Sequence, residues 1–210
     1  MPQPWIVAVA TVILAMIGPA VSAQSAAGQE SDSVAARYEN TVADVNATML
    51  VDPAKALPKA VAAEHLAAKI VNLRARGVAI ATARWLQGES YLRTNDTDRA
   101  DAPIRSALAA IKTFHPQSKL HADLLISMGW LDSSQGRAGS ALIDYQRAFA
   151  IYRRLGDARG QSRTLVFIAM LYTEAKDPNT ADKYYQQALD IYHADANIAV
   201  SIYNNRALVL

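Results

Sequence analysis

The chain contains no cysteine. This absence excludes disulfide frameworks, thiolate zinc sites, cysteine nucleophiles and lipid attachment through an N-terminal cysteine. Charged residues are also few, at 19% of the 210 residues. The 21 basic and 19 acidic side chains give a net charge of +2. A mild basic excess is typical of a solvated surface. We therefore expect no nucleic-acid partner.

Catalytic and cofactor motifs are missing as well. The sequence has no G-x-S-x-G elbow, no Walker loop and no G-x-G-x-x-G. The glycines of Gly136-Arg-Ala-Gly139 do not indicate a phosphate-binding loop, because no strand is predicted before them. The histidines form no H-E-x-x-H pair and show no other metal-ligand spacing; they are His65, His115, His121 and His193. We predict a non-catalytic protein without a metal or a cofactor.

A dense apolar run occurs at the N-terminus, from Trp5 to Ile17. Gly18 and Pro19 follow it, and the small residues Val21-Ser22-Ala23 then precede Gln24. This pattern predicts a cleaved signal peptide over 1–23 and export, with the periplasm as the expected compartment. The alternative is an uncleaved membrane anchor, because the uncharged stretch approaches the ~20 residues that span a bilayer. The polar segment 24–33 is predicted to be a disordered spacer.

The rest of the chain repeats with a period of about forty residues. Gly88, Gly129 and Ala169 are separated by 41 and 40 residues. Three further columns keep these intervals: Ala100, Ala141 and Ala181; Ala107, Ala148 and Ala188; Ile104, Tyr145 and Tyr185. Small residues of this kind admit a large side chain where two helices cross closely.

The residue pattern of each repeat unit predicts two helices joined by a short turn. The first helices are expected to end near Arg93, Ser134 and Ala175, where apolar helical spacing stops. Gly136 suits a left-handed turn residue, and Asp177-Pro178 is typical of a helix start. Because no sustained period-two alternation is present, the predicted fold class is all-α.

The order of these columns resembles the tetratricopeptide repeat. The best match is Ile168-Ala169-x-x-Tyr172 followed by Ala181-x-x-x-Tyr185-x-x-Ala188. The long period is similar to the long-helix variant found in bacterial exported and signalling proteins. The resemblance implies an α-solenoid of antiparallel helix pairs that binds a protein or peptide partner.

The sequence divides into five segments, of which the repeat register predicts the last three. After the signal peptide and the spacer we expect a degenerate repeat over 34–76, three repeats over 77–195, and the first helix of a truncated fourth repeat over 196–210. Asp52-Pro53 predicts a helix start. Pro58 and Pro103 fall inside predicted second helices, where they predict local kinks or a later helix start.

The resemblance also implies where a ligand lies, because the first helices of such repeats line a concave groove. The expected groove residues are Trp85, Glu89, Ile126, Trp130, Val166, Met170 and Asn204. They are mostly apolar and favour an apolar helix or extended peptide, although Trp85 and Met170 are equally consistent with core between repeats. A second candidate is a basic patch, which a solvated loop would also explain: Arg147, Arg153, Arg154, Arg159 and Arg163.

Two functions are consistent with these features. The first is an exported, non-catalytic interaction module. The second is the N-terminal periplasmic sensory region of a longer membrane signalling enzyme, such as a diguanylate cyclase or histidine kinase. In either case membrane association would come through an uncleaved N-terminus or through a further C-terminal part.

Overall fold

The computed structural model describes residues 33–192 and 196–207. In these ranges the chain forms nine helices and no strand. The predicted signal peptide, and the predicted spacer except for its last residue, lie outside the described residues. The helices are α1 (33–51), α2 (Pro53–Ala67), α3 (Leu73–Arg93), α4 (Thr97–Phe114), α5 (Lys119–Ser134), α6 (Ala138–Leu155), α7 (Ala158–Glu174), α8 (Pro178–Ile191) and α9 (Ala196–Ala207).

The helices pack in consecutive pairs. The contacts are most extensive within α3–α4, α5–α6 and α7–α8, and the short turns between the members make each pair antiparallel. Each odd-numbered helix from α3 to α9 also contacts the next odd-numbered helix, so these helices form one layer of the array. The predicted all-α solenoid is confirmed. No helix in the described part of the chain is both long and apolar enough to cross a membrane.

Small residues admit large side chains within the pairs, as the repeat columns predicted. A Cβ atom added at Gly129 on α5 would overlap the ring of Tyr145 on α6. Gly88 on α3 admits Ile104 on α4 in the same way. Both large residues are buried, at 2% and 0% exposure, so neither can move aside into solvent.

The turns within the three pairs share one left-handed position. Asn95, Gly136 and Lys176 have φ of 59°, 76° and 62°. After each of them, the next backbone N–H bonds back to a carbonyl five residues earlier, at 2.8 to 2.9 Å, which closes the helix end as a Schellman motif. The sequence predicted only Gly136. Asparagine also tolerates this conformation, so Asn95 carried a weak signal that was missed, whereas Lys176 carried none.

Helix starts are fixed by capping side chains. Asp52 and Asp96 accept hydrogen bonds from backbone N–H groups three residues ahead, at 3.1 Å in both cases. The helices that they cap therefore begin before Pro58 and Pro103 and continue through both prolines. Of the two alternatives expected at these prolines, a later helix start is wrong, because both helices begin at their caps. A local kink stays a prediction.

Candidate peptide groove

The predicted groove residues all lie on odd-numbered helices. Ile126 and Val166 are buried at 4% and 9% exposure, whereas Met170 is 39% exposed. Trp85, Glu89 and Trp130 are half-buried, and Asn204 on α9 is exposed. The structure therefore places them along one layer but leaves only some of them open to a partner.

Between α3 and α5, the predicted groove residues Trp85 and Glu89 are both hydrogen-bonded to Ser127. The indole Nε1 of Trp85 donates to Ser127 Oγ at 3.0 Å. The Ser127 hydroxyl in turn donates to Glu89 Oε1 at 2.6 Å, and Arg93 lies 3.6 Å from the other oxygen of that carboxylate. Because these groups satisfy one another, they fasten two repeats together and form an ordered wall. Sequence reasoning missed Ser127.

Between α5 and α7 the layer opens into a pocket of about 320 Å³. The rings of Trp130 and Phe167 lie 6.2 Å apart, and Phe167 stacks on Tyr145 at 5.4 Å. Met170 completes the apolar lining. Glu174 stands at the rim, where its carboxylate accepts a hydrogen bond from Ser133 at 3.3 Å. We call this the α5–α7 pocket; its residues are Trp130, Ser133, Ser134, Tyr145, Phe167, Met170, Leu171 and Glu174.

A buried polar cluster lies at the start of α5 and α7. Asp123 is 4% exposed and accepts a hydrogen bond from the Tyr152 hydroxyl at 2.6 Å. Arg163 pairs with the same carboxylate oxygen and lies 3.0 Å from the Tyr152 oxygen. Lys119 pairs with the other oxygen of Asp123 at 2.7 Å. The ring of Tyr152 fits against Gly160, where any Cβ would overlap it.

The pKa shifts in this cluster follow from burial and charge. Burial raises the pKa of the Tyr152 hydroxyl, and the negative charge of Asp123 raises it further. Burial acts to lower the pKa of the Arg163 guanidinium, but Tyr152 and Asp123 outweigh it and the net shift is upward. Tyr152 therefore stays a neutral donor and Arg163 stays charged. Of the two ion pairs that Asp123 forms, the pair with Arg163 links two repeats and the pair with Lys119 lies within α5.

Comparison with protein families gave a match for the part of the chain that contains the α5–α7 pocket. Residues 122–194, from the first turn of α5 to just beyond α8, match the family model described as Tetratricopeptide repeat. This segment is a tetratricopeptide-repeat region. Comparison with curated proteins gave no significant match. Tetratricopeptide repeats are protein-interaction modules and are typically non-catalytic. The matched segment includes α5, α6 and α7, the three helices that line the α5–α7 pocket.

The predicted basic patch is divided by the fold of the tetratricopeptide region. Arg163 does not belong to it, because its guanidinium is engaged in the Asp123 cluster described above. Arg153 and Arg154 are exposed in the last turn of α6, and Arg159 is exposed in the first turn of α7. Arg147, also exposed, lies 3.4 Å from Asp144. Among the described residues no group of histidine and acidic side chains is suited to hold a metal ion.

A larger pocket precedes the tetratricopeptide segment. It measures about 600 Å³ and lies between α1 and α3. Tyr38, which lines it, donates to the backbone carbonyl of Ala79 at 3.1 Å, and burial raises the pKa of this tyrosine to about 12. Sequence reasoning did not predict this pocket, because α1 lacks the repeat columns that would set its register.

Proposed function

We propose that the protein is an exported, non-catalytic interaction module that holds an apolar peptide or helix of a partner protein in the groove of its odd-numbered helices. The α5–α7 pocket is the anchor point in this proposal. The observation that carries it is an accessible apolar pocket inside the segment that matches a family of interaction modules.

The dimensions of the α5–α7 pocket suit one large apolar side chain. Its volume of about 320 Å³ is at the lower end of the range for ligand pockets. Its apolar walls include Trp130, Phe167 and Met170, and aromatic residues and methionine are enriched at protein interfaces. The exposed face of Met170 adds an adaptable surface at the mouth.

Polar side chains at the rim of the pocket and in the neighbouring wall between α3 and α5 are available to a partner, and those in the wall are already ordered. Glu174 is exposed and presents a carboxylate beside the apolar pocket. Glu89 and Trp85 are already held by Ser127 in the wall between α3 and α5. A groove whose side chains are fixed before binding loses less conformational entropy when the partner arrives.

Export is the second part of the proposal. It rests on the apolar run Trp5 to Ile17 and on the small residues that end at Ala23. Mass spectrometry of the protein isolated from its native host should find a mature N-terminus at Gln24. Retention of residues 1–23 would favour the membrane anchor instead.

Site-specific photo-crosslinking tests the location of the groove. A photoreactive amino acid replaces Met170 at the mouth of the α5–α7 pocket or, as a control, Ile143 on α6. Ile143 is 50% exposed and does not line the pocket, so the two positions are matched in accessibility. In an extract of the native host, we expect a discrete crosslinked partner from position 170 and none from position 143. Equal yields at both positions would remove the site from this pocket.

A further inference from the structure

A third cleft lies between the last turn of α4 and the second half of α6, above the beginning of α5. Its volume is about 470 Å³. We call it the basic cleft; its main lining residues are Lys112, His121, Leu125, Arg147, Ile151 and Arg154. It was not part of the predicted groove, and only Arg147 and Arg154 belonged to the predicted basic patch.

The basic cleft and the α5–α7 pocket lie on opposite sides of α5. His121 and Trp130 are nine residues apart on this helix. At ~100° per residue their directions differ by roughly half a turn. A molecule in the basic cleft would therefore leave the α5–α7 pocket free.

The charge of the basic cleft is unbalanced. It is lined by the cations of Lys112, Arg147 and Arg154, and within the described part of the chain no carboxylate forms an ion pair with Lys112 or Arg154. The facing acidic group is Asp144, which lies 3.4 Å from Arg147. Burial raises the pKa of Asp144, and the charges of Arg147 and Lys112 oppose that shift. Three cations against one carboxylate leave an excess of two positive charges.

The base of the cleft offers a hydrogen-bond donor and an apolar surface. The backbone N–H of Gln117 donates to His121 Nδ1 at 3.3 Å. Burial lowers the pKa of His121, so the ring is neutral and carries its proton on Nε2, which is a donor. Leu125 and Ile151 are 3% and 4% exposed and form the apolar part of the base.

The spacing of the cations favours a chain of anionic groups over a single ion. Arg147 and Arg154 are seven residues apart and lie on the same face of α6. At ~1.5 Å per residue their backbone positions are about 10 Å apart, so each can pair with a different carboxylate of one extended segment. A free phosphate would also leave the apolar base uncovered. A segment of glutamates or aspartates with an apolar residue among them matches both features.

We infer that the basic cleft is a second binding site, which takes an acidic peptide segment of a partner protein. Carboxylates of the segment pair with Lys112, Arg147 and Arg154, and its apolar side chain lies on Leu125 and Ile151. Arginine is well suited to this task because its planar guanidinium binds a carboxylate through two parallel hydrogen bonds.

Fluorescence polarisation with the full-length protein tests this site. The probe is a fluorescein-labelled short peptide of glutamates interrupted by leucines. Arg154→Glu should weaken binding about tenfold or more at low ionic strength, because it replaces an attractive charge with a repulsive one. Arg153→Glu is the matched control: this residue is exposed in the same turn but does not line the cleft. It should change the affinity less than about twofold, because only non-specific attraction is altered.

Two controls and four contrary outcomes complete the test. Met170→Glu should leave probe binding unchanged, which separates this site from the proposed groove. A probe with lysine in place of glutamate should not bind. Failure of the acidic probe to bind the wild type, or equal losses in the two arginine variants, would overturn the inference. Displacement of the probe by an equal concentration of inorganic phosphate, or preferential binding of phosphatidylglycerol vesicles through Arg154, would overturn it in favour of a phosphate or membrane site.

Discussion

Gly129→Ala is a direct test of the packing inside the second repeat pair. The added Cβ would approach the Cδ1 and Cζ atoms of Tyr145 to 2.7 and 2.9 Å and would come still closer to Cε1. The ring is 2% exposed and stacks on Phe167 at 5.4 Å, so it can move away from the added Cβ only by breaking that stacking and entering the α5–α7 pocket that it lines. Overpacking of this kind costs about 1–3 kcal/mol, and the better helix propensity of alanine returns about 1 kcal/mol. We expect a net loss of unfolding free energy of up to about 2 kcal/mol.

Gly139→Ala is the matched control for this change. Gly139 is in the first turn of α6, and a Cβ added there meets nothing within 4 Å. This variant should be neutral or slightly more stable than the wild type. Urea unfolding followed by circular dichroism measures both, and Tyr145→Leu in the Gly129→Ala background should recover part of the loss. Equal stability of the two alanine variants would refute the packing of Gly129 against Tyr145.

Three further predictions concern stability. Asp123→Ala leaves the half-buried guanidinium of Arg163 without its carboxylate and should lower the free energy of unfolding by about 3 kcal/mol in urea. A loss below about 1 kcal/mol would mean that the cluster is solvated. Lys176→Gly should stabilise the protein by about 0.5–1 kcal/mol because it relieves a left-handed conformation, and a lower melting temperature would contradict this reason. Hydrogen bonds from residues three positions ahead lower the pKa of the cap carboxylates Asp52, Asp96 and Asp177 below 3.8. The stabilisation that these carboxylates give is present above that pH and is lost as the pH falls through the lowered values. A variant with asparagine at all three positions should show a flatter acid dependence of Tm, and an unchanged profile would exclude these groups.

The sequence predicted the fold through residues that act within one pair. Gly129 and Tyr145 face each other across a helix crossing, and the small residue in the repeat column records that close approach directly. The position of the turn after Ala175 was predicted, but the left-handed conformation of Lys176 was not, because lysine carries no preference for positive φ and adopts it only when the surrounding helices require it.

The candidate site was predicted less well, because its polar contacts join different repeats. Glu89 and Ser127 are 38 residues apart, and Asp123 and Arg163 are 40 residues apart. These separations are about one repeat period, so a search for complementary polar residues one period apart could have found both pairs. Columns of identical residues do not reveal them, since the two partners differ in type.

The central claim is that the α5–α7 pocket holds the partner. Its most direct test is the affinity of the crosslinked partner, once purified, for Met170→Glu and Ile143→Glu, measured by isothermal titration calorimetry. Both side chains are exposed, so both variants should keep the wild-type melting temperature. A charge at the mouth of the pocket should weaken binding about tenfold or more, which is ~1.4 kcal/mol, while the charge at position 143 should change it less than about twofold. Equal affinities of the two variants would contradict the proposed groove.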